Sequence, residues 1–324
     1  MKNESANLMP DIETIRRAAQ RIKPYINHTP VLTCKSLDRM VCAELFFKCE
    51  NFQKVGAFKF RGASNAVFSL SDEEAKKGVA THSSGNHAQA LSLAAKNRRI
   101  KAHIVIPRNA SKVKVKAVEG YGGNIIFCEP TLKAREDTLA KVVAETGAKF
   151  IHPYNDYRII AGQGTAALEF LEEVKNLDVI MAPVGGGGLL SGTALTFLNL
   201  SPDTKIIAAE PQGADDAYRS FYQGKLIPSV NPKTIADGLL TSLGDLTFPI
   251  IQRYVHQIVT VSEDAIISSM RHIWERMKII IEPSAAVPFG AFLEDKIDLK
   301  GKKVGIILSG GNVDLENLPW LSMH

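Results

Sequence analysis

The feature that most constrains this chain is a recurring passage from a largely apolar run into a turn and then into a helical pattern. Seven such runs predict strands at 44–48, 79–82, 102–106, 124–128, 179–184, 205–209 and 304–308. Among them, apolar residues recur at helical spacing over 87–96, 132–146, 162–175 and 189–200. A strand apolar throughout has to be covered on both faces, and helices between strands supply that cover. The pattern therefore predicts an α/β fold built on mostly parallel sheets flanked by helices. A further helix is expected over 11–23, where Ile12, Ile15, Ala18, Ala19 and Ile22 share a face and Pro24 ends the run.

At 324 residues there is room for two domains. The stretch 72–153 holds a complete βαβαβ rhythm between loops at 69–72 and 152–156, so a small domain over 72–153 is expected inside a larger one formed by 1–68 and 157–324. A composition 45% hydrophobic and 23% charged excludes a disordered chain. The 39 basic residues against 34 acidic ones give only +5, spread without a stripe, so no nucleic-acid partner is expected and small anionic ligands fit better. No apolar run approaches the roughly twenty residues of a membrane span. The opening MKNESANLMPDIETIRRAA lacks the apolar core of a secretion signal, and a cytoplasmic setting is expected. Cys34, Cys42, Cys49 and Cys128 form no CxxC pair, which favours buried thiols over disulfides or a zinc site.

Ligands in such folds gather where strands end at their carboxyl side. After the run 179–184 come Gly185, Gly186, Gly187 and Gly188, then a helix. Consecutive glycines let backbone N–H groups converge on an anion, and the helix start adds its dipole; a flexible turn is the plainer alternative. The spacing is neither GxGxxG nor GxxxxGK[ST], which disfavours a nucleotide and suits one phosphate monoester. A second loop carries Ser83, Ser84, Gly85, Asn86 and His87 into a helix. Its donors suit a carboxylate, although Ser83 or Ser84 could simply cap the helix, and His87 alone reads as a packed histidine. Ser309 ends the last strand, placed to bond a ligand or to cap. Lys59 sits between Phe58 and Phe60. In an apolar pocket its amine would be free to attack a carbonyl, while the polar face of a helix is a lysine's ordinary place. Together these parts would hold a phosphate-bearing aldehyde cofactor and an amino acid.

Five segments occur in order: Gly56-Ala-Phe-Lys-Phe-Arg-Gly-Ala, Ser83-Ser-Gly-Asn-His-Ala-Gln-Ala, Ala161-Gly-Gln-Gly-Thr, Gly185-Gly-Gly-Gly-Leu and Ser309-Gly-Gly-Asn. Over residues 11–316 the chain resembles the fold-type II pyridoxal-phosphate enzymes, in particular the serine racemase and L-threo-3-hydroxyaspartate dehydratase branch of the serine/threonine dehydratases. The resemblance implies a two-domain fold like the tryptophan synthase β chain. It implies that Lys59 carries pyridoxal phosphate, with Phe58 and the four glycines at its phosphate, Asn86 at its phenolic oxygen and Ser309 at its pyridine nitrogen. A neutral hydroxyl at that nitrogen makes a weaker electron sink than a carboxylate would, which favours loss of a β-hydroxyl over transamination.

The same resemblance places the substrate carboxylate at Ser83, Ser84, Gly85, Asn86 and His87. It implies dehydration of L-serine and L-threonine-type substrates to 2-oxo acids and ammonia. Ser84 stands where catabolic threonine dehydratases carry Ala; as a proton donor opposite Lys59 it implies serine racemisation as well. Arg135 and Ser242 match positions at the substrate's distal end, where a guanidinium would pair with a second carboxylate. That leaves L-threo-3-hydroxyaspartate ammonia-lyase activity as the alternative, with a solvated helix residue as the plain reading of Arg135. Glu210, Asp216 and the Ala214 carbonyl match a divalent-cation site suited to Mg²⁺ or Ca²⁺, though acids after a strand are commonly just solvated. Gln89, Tyr121 and Lys278 resemble a nucleotide effector site for ATP, and the family suggests a homodimer. Only twelve residues follow Asn312, so an added C-terminal regulatory domain is not expected. A β-replacement enzyme of the cysteine-synthase type would carry Thr-Ser-Gly-Asn-Thr in the second loop, and a silent amino-acid-binding regulator would not need Lys59. A dehydrogenase would show the dinucleotide fingerprint.

Overall fold

In the computed structural model, which describes residues 9–321, the chain forms two sheets. The strands are β1 (Val31–Leu32), β2 (Glu44–Cys49), β3 (Val79–His82), β4 (Ala102–Pro107), β5 (Asn124–Cys128), β6 (Lys149–Phe150), β7 (Val179–Pro183), β8 (Lys205–Pro211), β9 (Gln257–Val261) and β10 (Lys303–Leu308). The larger sheet runs β1-β2-β10-β7-β8-β9 and the smaller β5-β4-β3-β6. Every pairing is parallel except β1 with β2. The seven expected strands are all present; β1, β6 and β9 are additional. β1 and β6 are two residues long, too short to leave a periodic signal, and β9 alternates through a polar Gln and Thr.

Double cover of the larger sheet accounts for its apolar strands. Met181, Ile207 and Ile306 enter one core, with Phe47 and Phe289. Their neighbours Ile180, Ala208 and Ile307 enter the core on the opposite face, with Phe170 and Phe197. Helix starts follow local chemistry: Asp11 accepts from the Thr14 N–H at 2.7 Å and Thr131 from the Ala134 N–H at 3.1 Å. The helix expected at 162–175 starts earlier, as Tyr157–Glu173, because Asp156 caps it by accepting from the Arg158 N–H at 2.8 Å.

That helix is the spine of the larger unit. The helix Lys59–Phe68 crosses it where Gly162 meets Gly62: a Cβ on Gly162 would lie 2.6 Å from the Gly62 Cα. The helix Gly188–Leu200 crosses it at a second glycine pair, since a Cβ on Gly192 would lie 2.5 Å from the Gly164 nitrogen. Beside the first crossing, Arg61 is fully buried. Its guanidinium donates to Glu50 at 2.7 and 2.8 Å and to Glu169 at 2.7 Å, while Lys48 pairs with Glu169 at 3.0 Å and Glu173 at 3.3 Å. Thr29 donates to Glu50 at 2.6 Å.

Among the described residues all four cysteines are free. Cys49 and Cys128 are buried as expected, but Cys34 is half-buried and Cys42 is exposed, in the left-handed cap of the helix Lys35–Val41. No helix of the described residues is long and apolar enough to cross a membrane. Residues 1–8 of the opening stretch, where no secretion signal is expected, lie outside the described residues.

Candidate active site

The end of β10 places the lysine. Beyond the strand, Gly310 bridges Ala57, and the Phe58 N–H donates to the Ser309 carbonyl at 3.0 Å. Lys59 is therefore held at the first position of its helix, with Ser309 buried beside it. Its ammonium donates to the Pro153 carbonyl at 2.9 Å and lies 5.1 Å from the centre of the Phe58 ring. Burial of the ammonium lowers its pKa to about 8, with the Glu282 carboxylate acting in the opposite direction. The residue as a whole is only half-buried, so the amine is desolvated yet reachable. It is not a lysine on a polar helix face.

At the end of β3, neither serine caps the helix Asn86–Arg98: the cap position is Gly85, with no side-chain bond. Ser83 accepts from the Gly85 N–H at 3.4 Å, and Ser84 makes no hydrogen bond to the described residues. The first N–H groups of the helix are thus not taken up by a side-chain cap, and a helix start of this kind can receive an anion. His87 is buried, with Nε2 3.3 Å from the Ile151 carbonyl, and burial holds the ring well below the usual histidine pKa. As a side chain it is packing. The Asn86 carboxamide nitrogen lies 3.0 Å from both Glu282 oxygens, and its oxygen accepts from Asn312 Nδ2 at 2.9 Å.

At the end of β7 all four glycines are buried, and Gly187 takes φ +86°, which an L side chain resists. The Thr247 hydroxyl donates to the Gly186 carbonyl at 2.9 Å, and the Tyr154 ring covers Gly186. The N–H groups of Gly185, Gly186 and Gly187 find no acceptor among the described residues. Buried donors without partners are costly, and an anion would satisfy them. These residues fit a phosphate. Pro153 and Tyr154, adjacent in sequence, tie Lys59 to this loop, while Glu282 ties Asn86 to the end of β10 through the Asn312 N–H at 3.2 Å.

The structure thus brings together Phe58, Lys59, the 83–87 loop, the glycine loop and Ser309. Ser242 lies in the segment beside the glycines, its hydroxyl accepting from the Ser229 N–H at 2.8 Å. Arg135 is half-buried, and its Nε is buried without a partner, so it is not simply solvated. Glu210 and Asp216 are fully buried, which corrects the solvated alternative for that pair. Glu210 accepts from the Ala217 and Tyr218 N–H groups at 2.9 and 2.7 Å, while both Asp216 oxygens lack a partner. Burial pushes Glu210 up to about 9 and Asp216 up to about 6. Ala214 is buried between them in sequence. Two carboxylates and a carbonyl, with one acid unsatisfied, fit a hard cation. Gln89 is buried, Tyr121 half-buried and Lys278 exposed, and no hydrogen bond or ion pair joins the three.

Four residues escaped the sequence reading. Glu282, Tyr154 and His152 stand alone in their segments, and Asn312 closes a motif without an assigned part. His152 accepts from the Tyr154 and Asn155 N–H groups at 3.3 and 2.9 Å, and burial lowers its pKa to about 4. Its neutral ring shapes the turn that presents the Pro153 carbonyl and the Tyr154 ring.

Doubly covered parallel strands ending in a desolvated lysine and an unsatisfied anion cradle define an α/β enzyme that works with a phosphate-bearing cofactor. The chain belongs to the pyridoxal-phosphate dependent enzymes, whose family model matches residues 22–310. It is 54% identical over 312 residues to a beta-hydroxyaspartate dehydratase of Paracoccus denitrificans, covering 96% of this chain and 99% of that one. It is 52% identical over 313 residues to a serine racemase of Dictyostelium discoideum, covering 95% of this chain and 96% of the other. The solved structure of maize serine racemase superposes with a TM-score of 0.94 at 50% identity, covering 98% of this chain and 97% of the maize chain.

Proposed function

We propose that this enzyme dehydrates L-serine and L-threonine-type β-hydroxy amino acids to 2-oxo acids with release of ammonia, and also racemises serine. Pyridoxal phosphate, when bound, supplies the electron sink for charge developing at the substrate Cα. The glycine amides of 185–188 and Phe58 hold its phosphate, Asn86 its ring oxygen and Ser309 its ring nitrogen. Lys59 Nζ holds the cofactor at rest and, once freed, takes the Cα proton. The donors of Ser83, Ser84, Gly85, Asn86 and His87 fix the substrate carboxylate, and the Ser84 hydroxyl returns a proton to Cα from the face opposite Lys59.

The observation that carries this reading is Lys59, whose amine is lowered to about 8 by burial yet bonded only to one carbonyl. Lys59→Ala should abolish both the visible absorbance of the loaded protein and the release of 2-oxo acid. Retained turnover would overturn the reading.

A second reading, L-threo-3-hydroxyaspartate as the main substrate, draws support from Arg135, whose Nε is buried without a partner. The 54% identical dehydratase is consistent with it. Comparing kcat/KM for serine, threonine and hydroxyaspartate, with and without Arg135→Ala, separates the two: only the dicarboxylate should lose by the substitution. Mg²⁺ or Ca²⁺ at Glu210, Asp216 and the Ala214 carbonyl belongs to the same proposal, supported by the unsatisfied Asp216 carboxylate. So do a small domain over 72–153, supported by its separate sheet, a homodimer in the cytoplasm, and a nucleotide effector at Gln89, Tyr121 and Lys278.

A further inference from the structure

Glu282 is 4% exposed, and its carboxylate lies where the loops of the two sheets meet. Both oxygens are 3.0 Å from Asn86 Nδ2, and one also takes the Asn312 backbone N–H at 3.2 Å. Its own N–H donates to the Gly310 carbonyl at 3.0 Å, and a Cβ on Gly310 would stand 2.6 Å from Oε1. Glycine at 310 is what leaves room for the carboxylate.

The orientation of a side-chain amide is ordinarily ambiguous, because its two ends have the same shape. Here it is fixed from both sides. The Val55 carbonyl only accepts, so the Asn312 nitrogen faces it, at 2.7 Å. The same nitrogen donates to Asn86 Oδ1 at 2.9 Å, which sets the oxygen end of Asn86. The ionised Glu282 carboxylate also only accepts, so it sets the nitrogen end. One hydrogen of Asn86 Nδ2 is thereby engaged and the other is left over. A flipped Asn86 would turn its own oxygen toward an anionic ring oxygen, acceptor against acceptor.

We propose that Glu282 is a positioning residue that locks the Asn86 carboxamide with one N–H turned toward the ring oxygen of the bound cofactor. This rests on Asn86 meeting that oxygen. The groups facing Glu282 are Lys59 from its helix, Lys114 from the helix Lys112–Gly120, and Asp237 from the turn Asp237–Leu239. Burial raises the carboxyl to about 7, so the lock loosens on acidification, when one oxygen becomes a donor.

The test is equilibrium binding of pyridoxal phosphate to cofactor-free protein, followed by the visible band and its pH dependence, in a double-mutant cycle. Asn86→Ala and Glu282→Ala should each weaken binding by about tenfold, the scale of one lost charge-assisted hydrogen bond. The double variant should bind within about twofold of Asn86→Ala alone, because Glu282 acts through Asn86. In the unaltered protein the band should titrate near neutral pH, and Glu282→Gln should remove that titration. If Glu282→Ala does not fold, the cycle is run with Glu282→Gln. Additive losses in the double variant would overturn the proposal, as would unchanged binding by Glu282→Ala where Asn86→Ala binds weakly. Unchanged binding by Asn86→Ala would instead remove the placement of Asn86 on which the proposal rests, a different and recognisable failure.

Discussion

Arg61→Met tests how the lysine-bearing helix is held. The guanidinium is fully buried and donates two bonds to Glu50, at 2.7 and 2.8 Å, and two to Glu169, both 2.7 Å. After the substitution Glu169 still has Lys48 at 3.0 Å. Glu50 keeps only the Thr29 hydroxyl and remains fully buried. The cost is therefore that of one stranded carboxylate, about 3–5 kcal/mol. Removing both partners should cost much less, because no charge is left behind. The double variant Arg61→Met/Glu50→Gln should recover more than half of the loss. Urea unfolding followed by tryptophan fluorescence is a suitable assay, because Trp274 and Trp320 stack edge to face, 5.2 Å apart, beside the core of the larger sheet. A loss below about 1 kcal/mol in Arg61→Met, or no recovery on adding Glu50→Gln, would refute the reasoning.

Other expectations follow from the same geometry. With the Lys59 amine at about 8, the fraction able to take a proton grows as pH rises, so proton removal should climb through pH 8 and level off above it. A profile still climbing near pH 10 would indicate an ordinary, solvated amine. Ser84→Ala should suppress racemisation by about a hundredfold or more while elimination from the L-isomer persists; chiral analysis of serine decides, and parallel loss of both activities would remove Ser84 from the opposite face. Mg²⁺ should raise the melting temperature of the protein, and Asp216→Asn should cancel that gain. An equal gain in the variant would place the ion elsewhere.

What could be read from the sequence was what adjacent residues decide together. The passage from β7 into four glycines, and from β3 into Ser83 and Ser84, is local, and the structure keeps each as a strand, a turn and a helix start. Asp11 and Thr131 announce their helices in the same way. Glu282 was not legible because its meaning depends on Asn86, 196 positions away, and on a glycine that clears its space. Nor was the burial of Glu210 and Asp216, since an acid following a strand looks the same whether it is solvated or enclosed. One signal was present and passed over. Lys48 lies near the end of β2 and Glu50 just beyond it, and charges beside so apolar a stretch point to partners inside the molecule, which prove to be Glu169 and Arg61.

The two glycine crossings on the helix Tyr157–Glu173 bear on more than packing. One fixes the helix that begins with Lys59, the other the helix that begins with the last glycine of the loop. Both ends of the site are thus measured off a single rod, and the span between amine and phosphate cradle is a gauge set by backbone touching backbone. A methyl group at Gly62, Gly162, Gly164 or Gly192 would reset that gauge without coming near the chemistry, so cofactor affinity becomes a ruler for helix spacing deep in the larger unit.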